Sequence, residues 1–304
     1  MMKSFLHWVW AARPKTLPAA AVPVMIGGAL AFLSSQFAFV PWLLCLVFAL
    51  LIQIGTNYAN DYYDFIQGAD DERRIGPDRA VASGWIRPKA MRNGMWLVFA
   101  IAFIAGCALV PYGGPALLII GIASIVCGVA YTGGPYPLGY NGWGDVFVFI
   151  FFGWIATGFT LFVQSGTFVL VLPSASGLYW TWLAGLLPGA LATNLLVVNN
   201  VRDEPLDREA GKRTLVVRLG RTFGLWEYGL LNALSIAVPV WFALAGGAWF
   251  CLLVLLATPL MIRATQLLAG ARDRSAYQRV LGMTAGLLVI TGVLFSLGLV
   301  LSRT

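Results

Sequence analysis

Two short strings hold most of the chemistry that this sequence offers. Asn60 and Asp64 stand four residues apart, as do Asp203 and Asp207, and the second pair follows the first at a constant offset of 143 residues. Residues at i and i+4 share one face of a helix, so each pair projects as a unit. Paired oxygen donors suit Mg²⁺, a hard cation that proteins usually hold through one or two carboxylates together with substrate phosphates. Two such pairs facing each other would hold the metal ions that bridge a diphosphate. The bases beside them (Arg73, Arg74, Arg79, Lys212 and Arg213) would offset the remaining phosphate charge. Gly68 and Gly211 obey the same offset, a short echo that by itself falls short of an internal repeat.

Helices must carry these pairs, and composition says where the helices lie. The 304 residues are 59% hydrophobic and only 11% charged, with a mean hydropathy of +0.80. A soluble domain carries about 25% charged residues, so a cytosolic enzyme and a secreted disulfide scaffold are excluded in favour of an integral membrane protein. No charged residue occurs from Thr16 to Asn60, and Asp145 is the only one from Asn93 to Val201. Cutting the apolar stretches at their Gly, Pro and polar breaks gives nine segments, roughly 17–35, 38–60, 93–111, 115–132, 143–165, 177–200, 222–245, 248–270 and 277–301.

Nine crossings place nineteen of the twenty Lys and Arg on one side, with only Arg303 opposite. The positive-inside rule puts that side, and the N-terminus, in the cytoplasm. The expectation is an all-α, nine-helix polytopic protein forming one domain over 1–304, with cytoplasmic cap loops at about 61–92 and 201–221. The first segment follows Arg13 and Lys15 and lacks a small-residue cleavage pattern, so it reads as a retained helix and not a signal peptide. Asn60/Asp64 and Asp203/Asp207 then lie at the cytoplasmic ends of the second and sixth helices. Ionisable groups at such depth are costly and mark functional sites.

The other residue classes narrow the field. Four cysteines (Cys45, Cys107, Cys127 and Cys251) sit in apolar runs without metal or disulfide spacing. His7 is the single histidine, which removes a Ser-His-Asp or His-rich metal site. The net charge of +7 follows membrane topology, and no basic surface interleaved with aromatics points to nucleic acid. Gly133, Gly134, Pro135 and Pro137 break the chain between the fourth and fifth segments, and irregular backbone at membrane depth lines cavities. Asp145, just beyond, either orients a substrate or an arginine, or caps the fifth helix.

At these residues the chain resembles the UbiA superfamily of intramembrane aromatic prenyltransferases, and within it the 1,4-dihydroxy-2-naphthoate polyprenyltransferase branch of menaquinone synthesis. The strings that carry the resemblance are ARPKTLPAAAVPV from Ala12, NDYYDFIQGAD from Asn60, RIGPDRAVASG from Arg74, YTGGPYPLGYNGWGD from Tyr131 and NNVRDEPLDREAGKRTLVVRLG from Asn199. The resemblance implies nine helices in a ring-like bundle around a central cavity, capped on the cytoplasmic side. It implies transfer of a polyprenyl group from polyprenyl diphosphate to 1,4-dihydroxy-2-naphthoate with loss of CO₂ and pyrophosphate, Mg²⁺ as cofactor, the bilayer of a bacterial inner membrane as surroundings, and no obligatory protein partner.

Site residues follow from the same likeness. Asn60, Asp64, Asp203, Asp207 and Tyr131 match the catalytic set, and the first four, with Asp61 beside them, the metal set. Arg13, Lys15, Asn57, Arg74, Arg79, Asp145, Asn200, Lys212 and Arg213 are the expected substrate contacts. Lys212 looks like a diphosphate-contacting base, Tyr131 borders the reactive end of the prenyl chain, and Arg13 and Lys15 either meet the acceptor carboxylate or anchor the topology. Many superfamily members carry a third Asp where this chain has Gly68 and Gly211; Asp61, Asp70 or Asp71 would have to substitute. Two rivals stay open, an acceptor such as 4-hydroxybenzoate or homogentisate and a secondary transporter; a CDP-alcohol phosphatidyltransferase would need a DG-x-x-AR string, which this sequence lacks.

Overall fold

A computed structural model describes residues 2–69, 76, 78–167, 171–174 and 177–303. The chain is helical almost throughout. In chain order the main helices are α1 (Met2–Ala11), α2 (Pro18–Leu33), α3 (Phe39–Ile66), α4 (Pro88–Cys107), α5 (Ala116–Ala130), α6 (Gly144–Ser165), α7 (Thr181–Glu209), α8 (Leu215–Leu219), α9 (Arg221–Gly246), α10 (Trp249–Gly270) and α11 (Arg274–Leu301). Among the described residues seven of these are long and apolar enough to cross a membrane, and an eighth span results if α1 and α2, bent by 54° near Arg13–Leu17, count as one. The remaining apolar helix, α5, has fifteen residues, about 22 Å at 1.5 Å per residue, short of a straight crossing of a ~30 Å core.

Two elements depart from the expected boundaries. Residues 177–180 form β2 (Gly177–Trp180), paired antiparallel with β1 (Val171–Ser174), so the sixth long helix begins at Thr181. Both acidic pairs lie inside helices and not in cap loops, because α3 runs on to Ile66 and α7 to Glu209. Hydrophobic cutting stops at the first carboxylate, whereas a helix continues while its backbone hydrogen bonds do.

α7 is the hub. Its apolar stretch is 78% buried, the highest of the described spans, and it packs on α2, α6, α9 and α11, while α11 returns to close against α2. The α6–α7 crossing is tight enough to need glycine. A Cβ on Gly189 would sit 2.8 Å from the Phe149 carbonyl, and one on Gly153 2.7 Å from the Gly185 carbonyl. Small residues at the crossing let backbones approach in this way, and α6 carries a π-helical stretch at Ile150–Ile155 beside the contact.

The two ends of the bundle differ in chemistry. At one end Asn57 Nδ2 of α3 donates to the Ala12 carbonyl at 2.8 Å and reaches Thr16 Oγ1 at 3.2 Å, tying the α1–α2 linker to the start of the acidic region. At the other end Arg303 donates to Ser35 Oγ and lies over the Phe32 ring, 4.5 Å from its centroid.

Candidate functional site

The two acidic helix ends are built alike, bond for bond. Gly68 N–H donates to the Phe65 carbonyl and Ala69 N–H to the Asp64 carbonyl; Gly211 N–H donates to Arg208 and Lys212 N–H to Asp207. Each bond of the second set repeats the first at the same offset, and both glycines are left-handed, with φ of +69° and +74°. This is a helix C-terminal motif that ends on glycine because other residues are strained there. The sequence echo is therefore a structural one. It also accounts for the missing third carboxylates: at both positions the helix has already ended, and an Asp would have to adopt a left-handed backbone.

The ends converge on one ammonium group. Lys212 Nζ lies 3.3 Å from Asp207 Oδ1 and 3.7 Å from Asp64 Oδ1, and 4.4 Å from the centre of the Tyr140 ring. Asp64 also accepts from Arg79 Nη2 at 3.0 Å and from the Tyr140 hydroxyl at 2.5 Å. Asp203 is gripped in a fork by Arg202, whose Nε and Nη2 donate at 2.7 and 2.6 Å. All three carboxylates are buried. Asn60 is reached through Thr132, whose hydroxyl donates to Asn60 Oδ1 at 2.9 Å.

The segment joining α5 to α6 is the third wall. The Arg213 amide donates to the Tyr140 carbonyl at 2.6 Å, and Arg218 donates to the Asn141 carbonyl at 2.9 Å, so this segment is clamped onto the turn after α7. Tyr131 follows α5, and its carbonyl accepts the Gly139 amide at 2.8 Å. A Cβ on Gly144 would stand 3.0 Å from the Tyr131 hydroxyl, which places that phenol over the first turn of α6.

Several expected residues sit elsewhere. Asp61 is buried, but its two oxygens accept the amides of Ala80 and Val81, each at 3.0 Å, so it pins the cap instead of facing Asp64's partners. Asn57 is engaged by the α1–α2 linker. Lys15 and Arg213 are exposed, and Asn200 is buried in α7. Arg13 has a left-handed backbone, φ 51° and ψ 69°, a conformation that costs a non-glycine residue about 1–2 kcal/mol. Asp145 lies in the first turn of α6, where the helix dipole favours a carboxylate, and its Oδ1 is buried without a hydrogen-bond partner. Arg74, with Arg73, Asp70 and Asp71, lies outside the described residues.

Three residues of the site, Tyr140, Arg202 and Thr132, escape a reading of the sequence. Tyr140 and Arg202 lie inside strings that stand out, but nothing in a string says which way a side chain turns.

The oxygens of Asn60, Asp64, Asp203 and Asp207 are hard donors, with no thiolate or imidazole among them, and so fit Mg²⁺ better than softer ions. Among the described residues no three His, Cys, Asp or Glu side chains close round one point. Below this level an apolar cavity of about 120 Å³ opens between α2, α3, α5 and α6, walled by Val24, Cys45, Ile52, Leu117, Phe151 and Phe159.

Known proteins share this architecture. The model of the UbiA prenyltransferase family covers residues 20–300. The chain is 35% identical over 306 residues to the 1,4-dihydroxy-2-naphthoate octaprenyltransferase of Escherichia coli (strain K12), covering 97% of this chain and 96% of that one. It is 41% identical over 269 residues to the protein of the same name from Mycobacterium tuberculosis, covering 86% of each. A solved UbiA homologue from Archaeoglobus fulgidus, bound to GPP and Mg²⁺, superposes with a TM-score of 0.61 at 13% identity over 95% of this chain and 99% of that one.

Proposed function

Because the chain belongs to the UbiA prenyltransferase family, we propose that it transfers a polyprenyl group from polyprenyl diphosphate to 1,4-dihydroxy-2-naphthoate, releasing CO₂ and pyrophosphate and giving demethylmenaquinol. The observation that carries this reading is the shared ammonium of Lys212, which has Asp64 and Asp207, from distant parts of the chain, both within 4 Å of it. The acceptor is supported by the naming of the relatives at 35% and 41% identity.

A bound Mg²⁺ supplies Lewis-acid stabilisation of the leaving pyrophosphate. Asn60, Asp64, Asp203 and Asp207 would hold it. Lys212 and Arg79, which neutralise the carboxylates in this structure, are placed to turn to the phosphate oxygens once those carboxylates are engaged elsewhere. Tyr131 and Tyr140 wall the space where the allylic carbon would separate from its leaving group, and the apolar surroundings keep water from that carbon. Tyr131 presents a ring that tolerates positive charge. The electron-rich ring of the acceptor attacks the allylic carbon, the C–O bond to diphosphate breaks, and the carboxylate leaves as CO₂ with its bonding pair restoring aromaticity. Arg13, held in a strained conformation at the rim, is the proposed contact for the acceptor carboxylate. The prenyl tail would run toward the cavity between α2, α3, α5 and α6. The protein is a multi-pass membrane protein; its site opens, on this reading, to the cytoplasm of a bacterial inner membrane, where the basic residues gather.

Purified protein in nanodiscs, given Mg²⁺, a polyprenyl diphosphate and carboxyl-labelled dihydroxynaphthoate, tests the reading. It requires labelled CO₂ and a prenylated naphthoquinol in equal amounts. Prenylation of 4-hydroxybenzoate or homogentisate in preference would replace the acceptor and leave prenyl transfer standing.

A further inference from the structure

Arg79 is one of the two cations placed to turn from carboxylate to phosphate, and it stands on the segment between α3 and α4. Its Nη2 lies 3.0 Å from Asp64 Oδ2. The chain turns tightly just after it. The Ser83 amide donates to the Arg79 carbonyl at 2.8 Å, and the Trp85 amide to the Ala80 carbonyl at 2.9 Å. The leading amides of such a turn have no acceptor within it. Asp61 supplies one for each: Oδ2 accepts from Ala80 and Oδ1 from Val81, both at 3.0 Å. Asp61 is 1% exposed, and Ala80 and Val81 pack with Ala59, Ile86 and Met91 in one buried apolar cluster. On the other side of Arg79, Asp78 pairs with Arg274 of α11 at 2.9 Å, but both side chains are about half exposed. Solvent screens that pair, so Asp61 is the firm anchor.

A carboxylate bonds a backbone amide more strongly than a neutral oxygen does, and two such bonds fix both the place and the angle of the turn. Asp61 does not share the face of α3 on which Asn60 and Asp64 stand, since neighbouring residues of a helix point in different directions. Extending the proposed function, on which it rests, we infer that Asp61 is a positioning residue: it holds the backbone at 79–81 so that the Arg79 guanidinium is delivered to the diphosphate. Once Asp64 holds metal, Arg79 exchanges its bond to that carboxylate for one to a phosphate oxygen. The two amide bonds to Asp61 take no part in this exchange, so the guanidinium stays beside Asp64 while its partner changes. An arginine on a loose segment would have to be ordered at each binding event, and that ordering costs affinity. Asp61 therefore acts on diphosphate affinity through Arg79 and touches neither metal nor phosphate.

The test is a double-mutant cycle on binding of an unreactive prenyl thiodiphosphate with saturating Mg²⁺, by calorimetry in nanodiscs. It compares wild type, Asp61→Asn, Arg79→Ala and the double variant. Asn keeps the volume of Asp61 but turns an NH₂ group toward one of the two amides. Arg79→Ala should weaken binding about tenfold or more, as loss of a hydrogen bond between charged groups implies. Asp61→Asn should weaken it by a comparable factor, and the double variant no further than Arg79→Ala alone. In turnover, the KM for prenyl diphosphate should rise in Asp61→Asn while the KM for the acceptor holds. Should Asp61→Asn fail to elute as a single species, Val81→Pro takes its place, because proline has no amide to give Asp61 and is tolerated in the first turn of a helix. Unchanged affinity in either single variant, a loss that persists in the Arg79→Ala background, or an equal rise in both KM values overturns the inference while leaving the proposed function standing. No thiodiphosphate binding by the wild type overturns both.

Discussion

Asp64 and Asp207 reach the same ammonium group, Lys212 Nζ, at 3.7 and 3.3 Å. Two buried carboxylates from helices so far apart in the chain would repel each other without a cation between them. In this structure the cation is a lysine; with divalent metal bound, the two carboxylates would hold it and the lysine would be free for phosphate. Replacing either carboxylate should therefore separate chemistry from folding.

Asp64→Asn and Asp207→Asn should each lower kcat by about 10²–10³-fold or more, the scale seen when one preorganised electrostatic group is removed. Asn keeps the shape and can still accept from Lys212, so both variants should elute as the wild type does in detergent. Steady-state product formation is the readout, and near-normal turnover in either variant would exclude that carboxylate from the metal set.

Chelation gives a second outcome. EDTA should stop turnover completely, Mg²⁺ should restore it, and Zn²⁺ should restore it poorly, since the donors are all oxygen. Activity that survives exhaustive chelation would mean that Lys212 and Arg79 suffice for the leaving group.

The Arg202–Asp203 fork makes a prediction about stability. Arg202→Ala strips a buried carboxylate of its bidentate partner, and breaking a buried pair typically costs about 3–5 kcal/mol. Tm should fall clearly in detergent without Mg²⁺. Added Mg²⁺ with a prenyl diphosphate should recover part of the loss by giving Asp203 a new partner. A Tm equal to the wild type's would show that the fork holds nothing together.

Gly68 and Gly211 supply a paired control. A methyl added at either would meet nothing within 4 Å, and both backbones are left-handed. Gly68→Ala and Gly211→Ala should each cost about 1–2 kcal/mol from backbone strain alone, and Gly68→Asp should cost the same without raising metal affinity. Thermal unfolding beside Mg²⁺ titration reads both, and a gain in metal affinity from Gly68→Asp would show that the third carboxylate can reach the site after all.

Much of this is legible in the sequence, and what is not has physical reasons. The acidic pairs, their repeat spacing and the membrane setting follow from i,i+4 geometry and from the near absence of charge elsewhere. The ends of α3 and α7 elude a hydropathy reading because apolarity stops at Asp61 and Arg202 while the backbone ladder continues to Ile66 and Glu209. Asp61 reads as a ligand by position, yet Ala80 and Val81 offer it two amides that no string of letters displays. Tyr140 lies in a string that stands out, but its hydroxyl's bond to Asp64 depends on the α5–α6 segment folding onto the end of α3, a tertiary fact.

The most direct test of the central claim is Mg²⁺-dependent binding of an unreactive prenyl thiodiphosphate, measured by calorimetry in nanodiscs. The wild type should bind it only with Mg²⁺ present, and Asp64→Asn and Asp207→Asn should each lose that dependence and most of the affinity. Tight binding without metal, or binding untouched in both variants, would contradict a diphosphate held between the two helix ends.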